Sequence, residues 1–169
     1  MDLQIEKVPC PIGEILLVFE GENIRALDFS DYEDRMHRLL KLHYGKVNLT
    51  SGHTPIRKQI EAYFEGDLKA ITRIPVQTAG TTFQREVWKA LTTIPPGTIK
   101  TYGEIASTIE RPKAVRAVGA ANGANPVGIV VPCHRVIGAN GSLTGYGGGM
   151  DRKKWLLAHE LKASTSNLP

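Results

Sequence analysis

Cysteine is scarce in this chain: Cys10 and Cys133 are the only two among 169 residues. Two cysteines do not form the disulfide framework of a small secreted protein, so both are expected to be free thiols in a reducing compartment. A zinc site needs about four closely spaced ligands, and the sequence offers no such cluster. We therefore expect no metal site and no disulfide, with Cys10 as an inert thiol between two prolines.

Long apolar runs are also missing. The stretch Ile12–Phe19 is too short to span a bilayer and contains Glu14. The N-terminus lacks the charged, apolar and small-residue succession of a secretion signal. We expect a cytoplasmic protein with no membrane partner, whose length suffices for one domain or two small ones.

Charge is distributed unevenly, although the net charge is only +4. Residues 1–80 carry 10 basic and 12 acidic side chains, net −2, whereas residues 81–169 carry 11 basic and 5 acidic, net +6. A basic half suits a polyanionic partner, and an inert basic surface would have the same composition. Charge alone leaves both interpretations open.

The first half is predicted to be a mixed α/β scaffold. Its apolar periodicity and turn residues predict three strands, two helices and a short further strand, at Leu3–Val8, Glu14–Phe19, Asn23–Phe29, Asp31–Tyr44, Pro55–Phe64 and Arg73–Val76. Small residues around Gln77–Thr82 indicate a boundary, so we divide the chain into domains at 1–80 and 81–169.

The second half has a helical pattern. Thr82–Leu91 predicts one helix, Thr101 and Glu104 have the spacing of a capping box that starts another, and Pro112 suits the first turn of a third. Two short helices in succession form a helix-turn-helix pattern, although many such pairs bind no DNA. The last of these helices is rich in small residues and holds one long cation, Arg116, for which a solvated surface position is the alternative.

Cys133 lies in a distinctive setting. It is followed directly by His134, then by a segment with six glycines between Gly138 and Gly149, and then by a predicted helix, Asp151–Lys162. A cysteine nucleophile needs a nearby base or a positive field to become a thiolate. Adjacent residues of an extended segment point in opposite directions, so a turn or a bridging water would have to join the two side chains.

The segment Val131-Pro-Cys-His-Arg-Val-Ile137 resembles the active-site motif of the O6-alkylguanine-DNA alkyltransferases, most closely the bacterial single-module type. Further blocks match in family order: Thr98-Ile-Lys-Thr-Tyr-Gly-Glu-Ile-Ala106, Ala114-Val-Arg-Ala-Val-Gly-Ala-Ala-Asn122, Asn125-Pro126, Gly145-Tyr-Gly-Gly-Gly149 and Trp155-Leu-Leu-Ala-His-Glu160. The resemblance is strong over 83–160 and looser at Pro11-Ile-Gly13 and Tyr63-Phe64-Glu-Gly66. It implies an α+β fold: a small N-terminal α/β, ribonuclease-H-like domain followed by a mostly helical, winged-helix-like DNA-binding domain.

The resemblance also implies a catalytic set. Cys133 matches the alkyl acceptor, His134 the residue that draws the thiol proton through a water, and Glu160 the carboxylate that orients this histidine. Asn125 matches the side chain that holds the turn before the active-site strand. Tyr102 matches the phenol placed near the guanine O6 and the adjacent phosphate.

Binding positions follow in the same way. Val136, Tyr146 and Gly147 match the walls and backbone contacts of the base pocket. Arg116 matches the side chain that fills the stack vacated by the damaged base. Further positions fall where family members touch DNA: Gln84, Gly103 and Arg111.

The activity implied is direct-reversal DNA repair, in which a methyl or larger alkyl group moves irreversibly from O6-methylguanine to Cys133, once per protein and without a cofactor. O4-methylthymine is a second candidate lesion. The partner would be double-stranded DNA, approached through the minor groove with extrusion of the nucleotide. We expect a monomer in solution and leave cooperative assembly on DNA open.

One departure from some relatives is Gly147, where they have serine; a backbone contact survives this change and a hydroxyl contact does not. The glycine suggests a roomier pocket that accepts larger alkyl groups.

Three rival functions remain at this point. A binding-only relative would lack the acceptor, which the presence of Cys133 argues against. A cysteine hydrolase would use Cys133, His134 and Glu160 but has no need of a basic helix pair. A DNA-binding regulator would use the helix pair, with Cys133 as a sensor.

Overall fold

In the computed structural model, which describes residues 1–143 and 145–166, four strands and two α-helices make up the first half of the chain. In chain order they are β1 (Asp2–Cys10), β2 (Gly13–Glu20), β3 (Asn23–Phe29), α1 (Glu33–Tyr44), β4 (Asn48–Ser51) and α2 (Ile56–Phe64). The predicted strands and helices of this half are confirmed, apart from the segment Arg73–Val76.

The four strands form one sheet in the order β3-β2-β1-β4, with β4 parallel to β1 and the other pairs antiparallel. The central strand β2 is buried on both faces. Leu16 and Val18 pack towards α1, and Ile15, Leu17 and Phe19 point into the main core. This alternation follows from the period of two along a strand and explains the continuous apolar run in the sequence.

The second half is mainly helical. Its described elements are α3 (Thr82–Leu91), β5 (Lys100–Thr101), α4 (Tyr102–Thr108), α5 (Val115–Gly123), β6 (Val136–Ile137) and α6 (Met150–Ser166). The predicted capping box is confirmed: Glu104 N donates to Thr101 Oγ1 at 3.1 Å, and Thr101 N donates to Glu104 Oε1 at 3.2 Å. Across the described residues, no helix combines the length and the apolar character that crossing a membrane requires.

The two halves meet at the edge strand β3. Leu27 N donates to Pro126 O at 3.0 Å, and Gly128 N donates to Leu27 O at 3.1 Å, so the segment after α5 pairs with this edge. Residues of both halves share one apolar cluster, with Leu17 and Val127 among its members. The sheet therefore fixes the position of the segment that leads to Cys133.

Two local predictions were wrong, and the strand β4 was missed. Arg73–Val76 is not a strand, because Arg73 ends a 3₁₀ helix and Val76 makes only a single bridge with Ile24. Pro112 does not start α5; it lies in a turn closed by a hydrogen bond from Ala114 N to Arg111 O at 2.9 Å, and the helix begins at Val115. The parallel strand β4 was not predicted, because it is short and mostly exposed and so shows no apolar alternation.

Candidate active site around Cys133

The segment that leads to Cys133 is a buried turn. Asn125, 2% exposed, holds it: Nδ2 donates to Val131 O at 2.8 Å, and Val127 N donates to Oδ1 at 3.0 Å. Ile129 has a φ of +69°, a left-handed conformation that a β-branched residue seldom adopts. Such strain persists only where the surroundings enforce it, and here Asn125 and β3 do so.

Cys133 begins a short 3₁₀ helix, Cys133–Arg135, and is 6% exposed. Its carbonyl accepts a hydrogen bond from Asn122 Nδ2 at 3.3 Å. Burial raises the pKa of the Cys133 thiol, and a hydrogen bond from Asn125 with the positive charges of Arg35 and Lys153 only partly offsets this. The resting group is therefore a neutral thiol, with cationic groups near enough to favour the thiolate when it forms.

His134 is fully buried, and its ring is oriented by Glu160. Nε2 lies 2.8 Å from Glu160 Oε2. A carboxylate only accepts hydrogen bonds, so Nε2 carries the proton and the lone pair of the neutral ring is on Nδ1. Nδ1 has no hydrogen-bond partner among the described residues. Burial lowers the pKa of His134, and Glu160 only partly counteracts this, so the ring is a neutral base at rest.

Glu160 is also paired with Arg135. Arg135 Nε donates to Oε1 at 2.8 Å, its Nη2 donates to Oε2 at 2.8 Å, and its Nη1 donates to Ile94 O at 2.7 Å. Burial would raise the pKa of Glu160, but the hydrogen bonds from Arg135 and the contact with His134 hold it far below its ordinary value. The carboxylate is thus ionised and fixed in one orientation.

Sequence reasoning missed several residues of this network. Tyr63 on α2 donates its hydroxyl to Glu160 Oε2 at 2.6 Å, and Lys153 on α6 donates Nζ to Val136 O at 2.6 Å. Both side chains are completely buried. A lysine or tyrosine that becomes buried has no local sequence pattern that would reveal it. Because a buried charge is almost always paired, a cationic partner such as Arg135 could have been expected once Glu160 was assigned.

The residues predicted to form the base pocket lie beside this network. Val136 is buried in β6, and the Tyr146 ring centroid lies 6.4 Å from that of His134. Gly149 N donates to Tyr146 O at 2.9 Å and closes a tight turn that includes Gly147. Thr144, in the same glycine-rich segment, lies outside the described residues.

Tyr102 is half-buried at the start of α4 and faces α5, because a Cβ added to Gly119 would lie 4.0 Å from Tyr102 Cδ1. Arg116 is exposed on α5 and has no ion-pair partner within the described part of the chain. Further exposed cations lie on or between α3 and α5: Arg85, Lys89, Lys100, Arg111 and Lys113.

The remaining predicted DNA contacts are Gln84, Arg111 and Gly103, and the first two have local structural partners. The Gln84 side chain completes a capping box with Thr81, and Arg111 pairs with Glu86 at 3.3 Å and lies over the Phe83 ring. Gly103 has open space around it, with Thr101 Oγ1 at 3.8 Å from the position of a Cβ. No group of three or more His, Cys, Asp or Glu side chains within 1–143 and 145–166 is arranged to hold a metal ion.

Two family models match the chain. Residues 5–78 match the ribonuclease-like domain of 6-O-methylguanine DNA methyltransferase, and residues 82–162 match the DNA binding domain of 6-O-methylguanine DNA methyltransferase. The predicted fold class, an α/β ribonuclease-like domain followed by a helical DNA-binding domain, is thereby confirmed.

Curated relatives and a solved structure agree with these matches. The methylated-DNA--protein-cysteine methyltransferase of Shigella flexneri is 48% identical over 92% of this chain and 94% of its own length. The protein of the same name from Mycobacterium bovis is 54% identical over 95% of this chain and 94% of its own. The crystal structure of Mycobacterium tuberculosis OGT in complex with DNA superposes with a TM-score of 0.81 at 40% identity, covering 96% of this chain and 94% of that one.

Proposed function

The chain belongs to the methylated-DNA--protein-cysteine methyltransferase family, and on that premise we propose that the Cys133 thiol is the group that accepts the alkyl carbon. The protein is a methyltransferase that repairs O6-methylguanine in DNA by direct reversal, and DNA is its partner. The family membership favours transfer over the hydrolase and regulator alternatives, and the presence of Cys133 argues against a binding-only relative.

The observation that carries the assignment of Cys133 is the orientation of His134. Its Nε2 proton is held by Glu160 at 2.8 Å, while Nδ1, on the opposite edge of the ring, is unpartnered among the described residues. A neutral imidazole in this tautomer is a general base with its lone pair available to the adjacent residue, Cys133. The carboxylate then stabilises the imidazolium that forms, as in other Cys–His arrangements.

The reaction follows from these groups. The Cys133 proton passes through a water to His134 Nδ1, the sulfur forms a bond to the alkyl carbon, and the carbon–O6 bond breaks with its electron pair left on guanine. Tyr102 donates a hydrogen bond to O6 as charge develops there. Guanine finally regains one proton, which balances the one that sulfur lost. The product thioether has no easy return path, so each molecule reacts once, and the scheme requires no cofactor.

Access to the lesion requires extrusion of the nucleotide, since the alkyl group lies in the paired edge of a stacked base; this costs a few kcal/mol. We assign Arg116 to the vacated stack and α5 to the minor groove, where its small residues permit close approach. Val136, Tyr146 and Gly147 form the pocket for the extruded base, and Gln84, Gly103 and Arg111 lie on the DNA side of the helix pair. The exposed cations of α3 to α5 supply contacts to phosphates.

Finer features complete the proposal. We propose O4-methylthymine as a second substrate and a monomeric free protein, and cooperative assembly on DNA stays open. The domain boundary lies between residues 80 and 81. We assign a cytoplasmic location because the acceptor thiol must stay reduced.

Intact-mass spectrometry tests the central proposal. Wild-type protein incubated with a duplex containing O6-methylguanine should gain about 14 Da, at most once per molecule, as expected for transfer to a single nucleophile. Cys133→Ala should gain nothing, whereas Cys10→Ala, which removes the other thiol, should gain as wild type does. A gain that persists in Cys133→Ala, or repeated turnover, would overturn the proposal.

A further inference from the structure

The phenol of Tyr63 connects the first half of the chain to the catalytic network. Tyr63 is on α2, 97 residues from Glu160, and its hydroxyl lies 2.6 Å from Glu160 Oε2. The side chain is completely buried, and so is Glu160. A buried hydroxyl at this distance from an ionised carboxylate makes a charge-assisted hydrogen bond, which is about twice as strong as a neutral one.

Three donors converge on the same carboxylate oxygen. Oε2 accepts from Tyr63 Oη at 2.6 Å, from His134 Nε2 at 2.8 Å and from Arg135 Nη2 at 2.8 Å. Arg135 also holds Oε1, so its two bonds already fix the carboxylate plane. Tyr63 therefore acts on the oxygen that His134 uses, and together with Arg135 it shares the negative charge that His134 meets there.

We propose that Tyr63 is a positioning residue for alkyl transfer, which acts through Glu160 to set how readily His134 takes up the Cys133 proton. The inference rests on the proposed function and extends it, because it gives the first half of the chain a part in the chemistry. By drawing charge from Oε2, the phenol limits the stabilisation of imidazolium, and His134 stays neutral between reactions.

The electrostatics of Tyr63 support this assignment. Burial and the adjacent Glu160 charge raise the pKa of Tyr63 well above its usual value, so the phenol is a proton donor at neutral pH. His134 and Glu160 are also faced by Arg135, Lys153 and the Tyr146 phenol. Those two cations oppose protonation of His134 as well, so Tyr63 acts in the same direction as they do.

The test is Tyr63→Phe, which keeps the ring and removes only the hydroxyl. The single-turnover rate constant at pH 7.5 should rise by up to about tenfold, because His134 then takes up the Cys133 proton more readily. The acidic limb of the rate–pH profile should move to higher pH, because Glu160 then stabilises imidazolium more strongly. Tyr44→Phe is the matched control, since that hydroxyl makes a 3.5 Å contact with Gln77 O and, among the described residues, no hydrogen bond to Glu160, His134 or Arg135. Neither quantity should change in it.

A second readout does not depend on transfer. In the free protein, the ¹H resonance of the His134 Nε2 proton should shift in Tyr63→Phe and stay in place in Tyr44→Phe. If Tyr63→Phe does not fold, 3-fluorotyrosine incorporated at position 63 replaces it as the test. This residue retains the hydroxyl and makes it a stronger donor, so the acidic limb should move to lower pH. An unchanged acidic limb and an unchanged His134 resonance, with only lower stability, would overturn the inference, whereas absence of transfer in wild type would overturn the proposed function instead.

Discussion

The guanidinium of Arg35 fills the space beside Gly147: a Cβ added to Gly147 would lie 2.9 Å from Arg35 Cζ. Arg35 is not free to move aside, because it donates to Asp28 Oδ2 at 2.9 Å, Gly123 O at 2.6 Å and Asn125 O at 3.1 Å. The Arg35 side chain thus links the turn that contains Gly147 to the backbone carbonyls of Gly123 and Asn125. Because glycine has no Cβ, it leaves room for Arg35 at this position. This structural reason for Gly147 was not evident from the sequence.

Gly147→Ser should therefore destabilise the protein as well as change the pocket. Overpacking of this kind costs about 1–3 kcal/mol of unfolding free energy, and displacement of Arg35 should slow transfer of methyl and benzyl groups alike. Denaturant unfolding and single-turnover rates measure the two effects. In a double-mutant cycle with Arg35→Ala the costs should be less than additive, because the alanine opens the space. Unchanged stability with selectively slower benzyl transfer would instead favour the roomier-pocket hypothesis.

Arg35→Ala leaves Asp28, which is 4% exposed, without its ion-pair partner. Removal of one member of such a pair should cost about 3 kcal/mol at pH 7.5. Burial raises the pKa of Asp28 and Arg35 opposes this, so the variant carboxyl should protonate more readily. The loss of stability relative to wild type should consequently be smaller at pH 5 than at pH 7.5. Arg38→Ala removes an exposed arginine of the same helix and should change stability by no more than about 0.5 kcal/mol at either pH.

The elements of the fold that could be predicted are those determined by residues close together in the chain. The strands β1 to β3 have apolar alternation or continuous apolar runs, and the Thr101–Glu104 capping box depends on residues three apart. In contrast, β4 forms only because its backbone pairs with β1 some 46 positions earlier, as in Asp2 with Asn48. Periodicity within a segment carries no information on such a partner.

The candidate site was also only partly predictable from the sequence. The motif around Cys133 and the resemblance supplied the residues of the second half, including the His134–Glu160 pair. Arg35 and Tyr63 were missed because their contacts join residues 88 and 97 positions apart, across the interface between the two halves. The first half was interpreted as a scaffold, yet Tyr63 donates a hydrogen bond to the Glu160 carboxylate, and Arg35 donates to the carbonyls of Gly123 and Asn125 and packs beside Gly147.

Glu160→Gln should be among the most damaging single substitutions. The amide cannot neutralise Arg135, which is 3% exposed, and a buried uncompensated charge costs about 3–5 kcal/mol. Denaturant unfolding measures this loss. Alkyl transfer should also fall sharply, since the imidazolium of His134 loses its counter-charge. Glu61→Gln is the control: Glu61 forms an exposed pair with Arg57 at 2.9 Å, and such pairs contribute about 0–1 kcal/mol. Equal stability of the two variants would contradict the structure.

Acid should lower the melting temperature in two pH ranges. Burial lowers the pKa of His134 from 6.5, so below pH 6.5 the unfolded chain binds a proton that the folded protein does not, and stability is lost as pH falls. The pKa of Glu160 is held below 4.5 despite its burial, so a further loss begins below pH 4.5. Melting curves between about pH 8 and pH 2 test both. His134→Gln should flatten the upper range, and His43→Gln should do so less, because His43 is only partly buried. A melting temperature that rises on acidification from pH 6.5 to 5 would show the opposite linkage.

Arg116→Ala should separate base extrusion from chemistry. Extrusion costs a few kcal/mol, and Arg116 is the exposed side chain assigned to the vacated stack, so transfer from duplex O6-methylguanine should slow about tenfold or more. Transfer from the free base O6-benzylguanine needs no extrusion and should keep its wild-type rate. Lys113→Ala removes an equal charge from the turn before the same helix and should weaken DNA binding in a salt-dependent manner without slowing the step after binding. If the two variants lose duplex activity equally and both recover at low salt, Arg116 acts only through its charge, and its place in the stack must be abandoned.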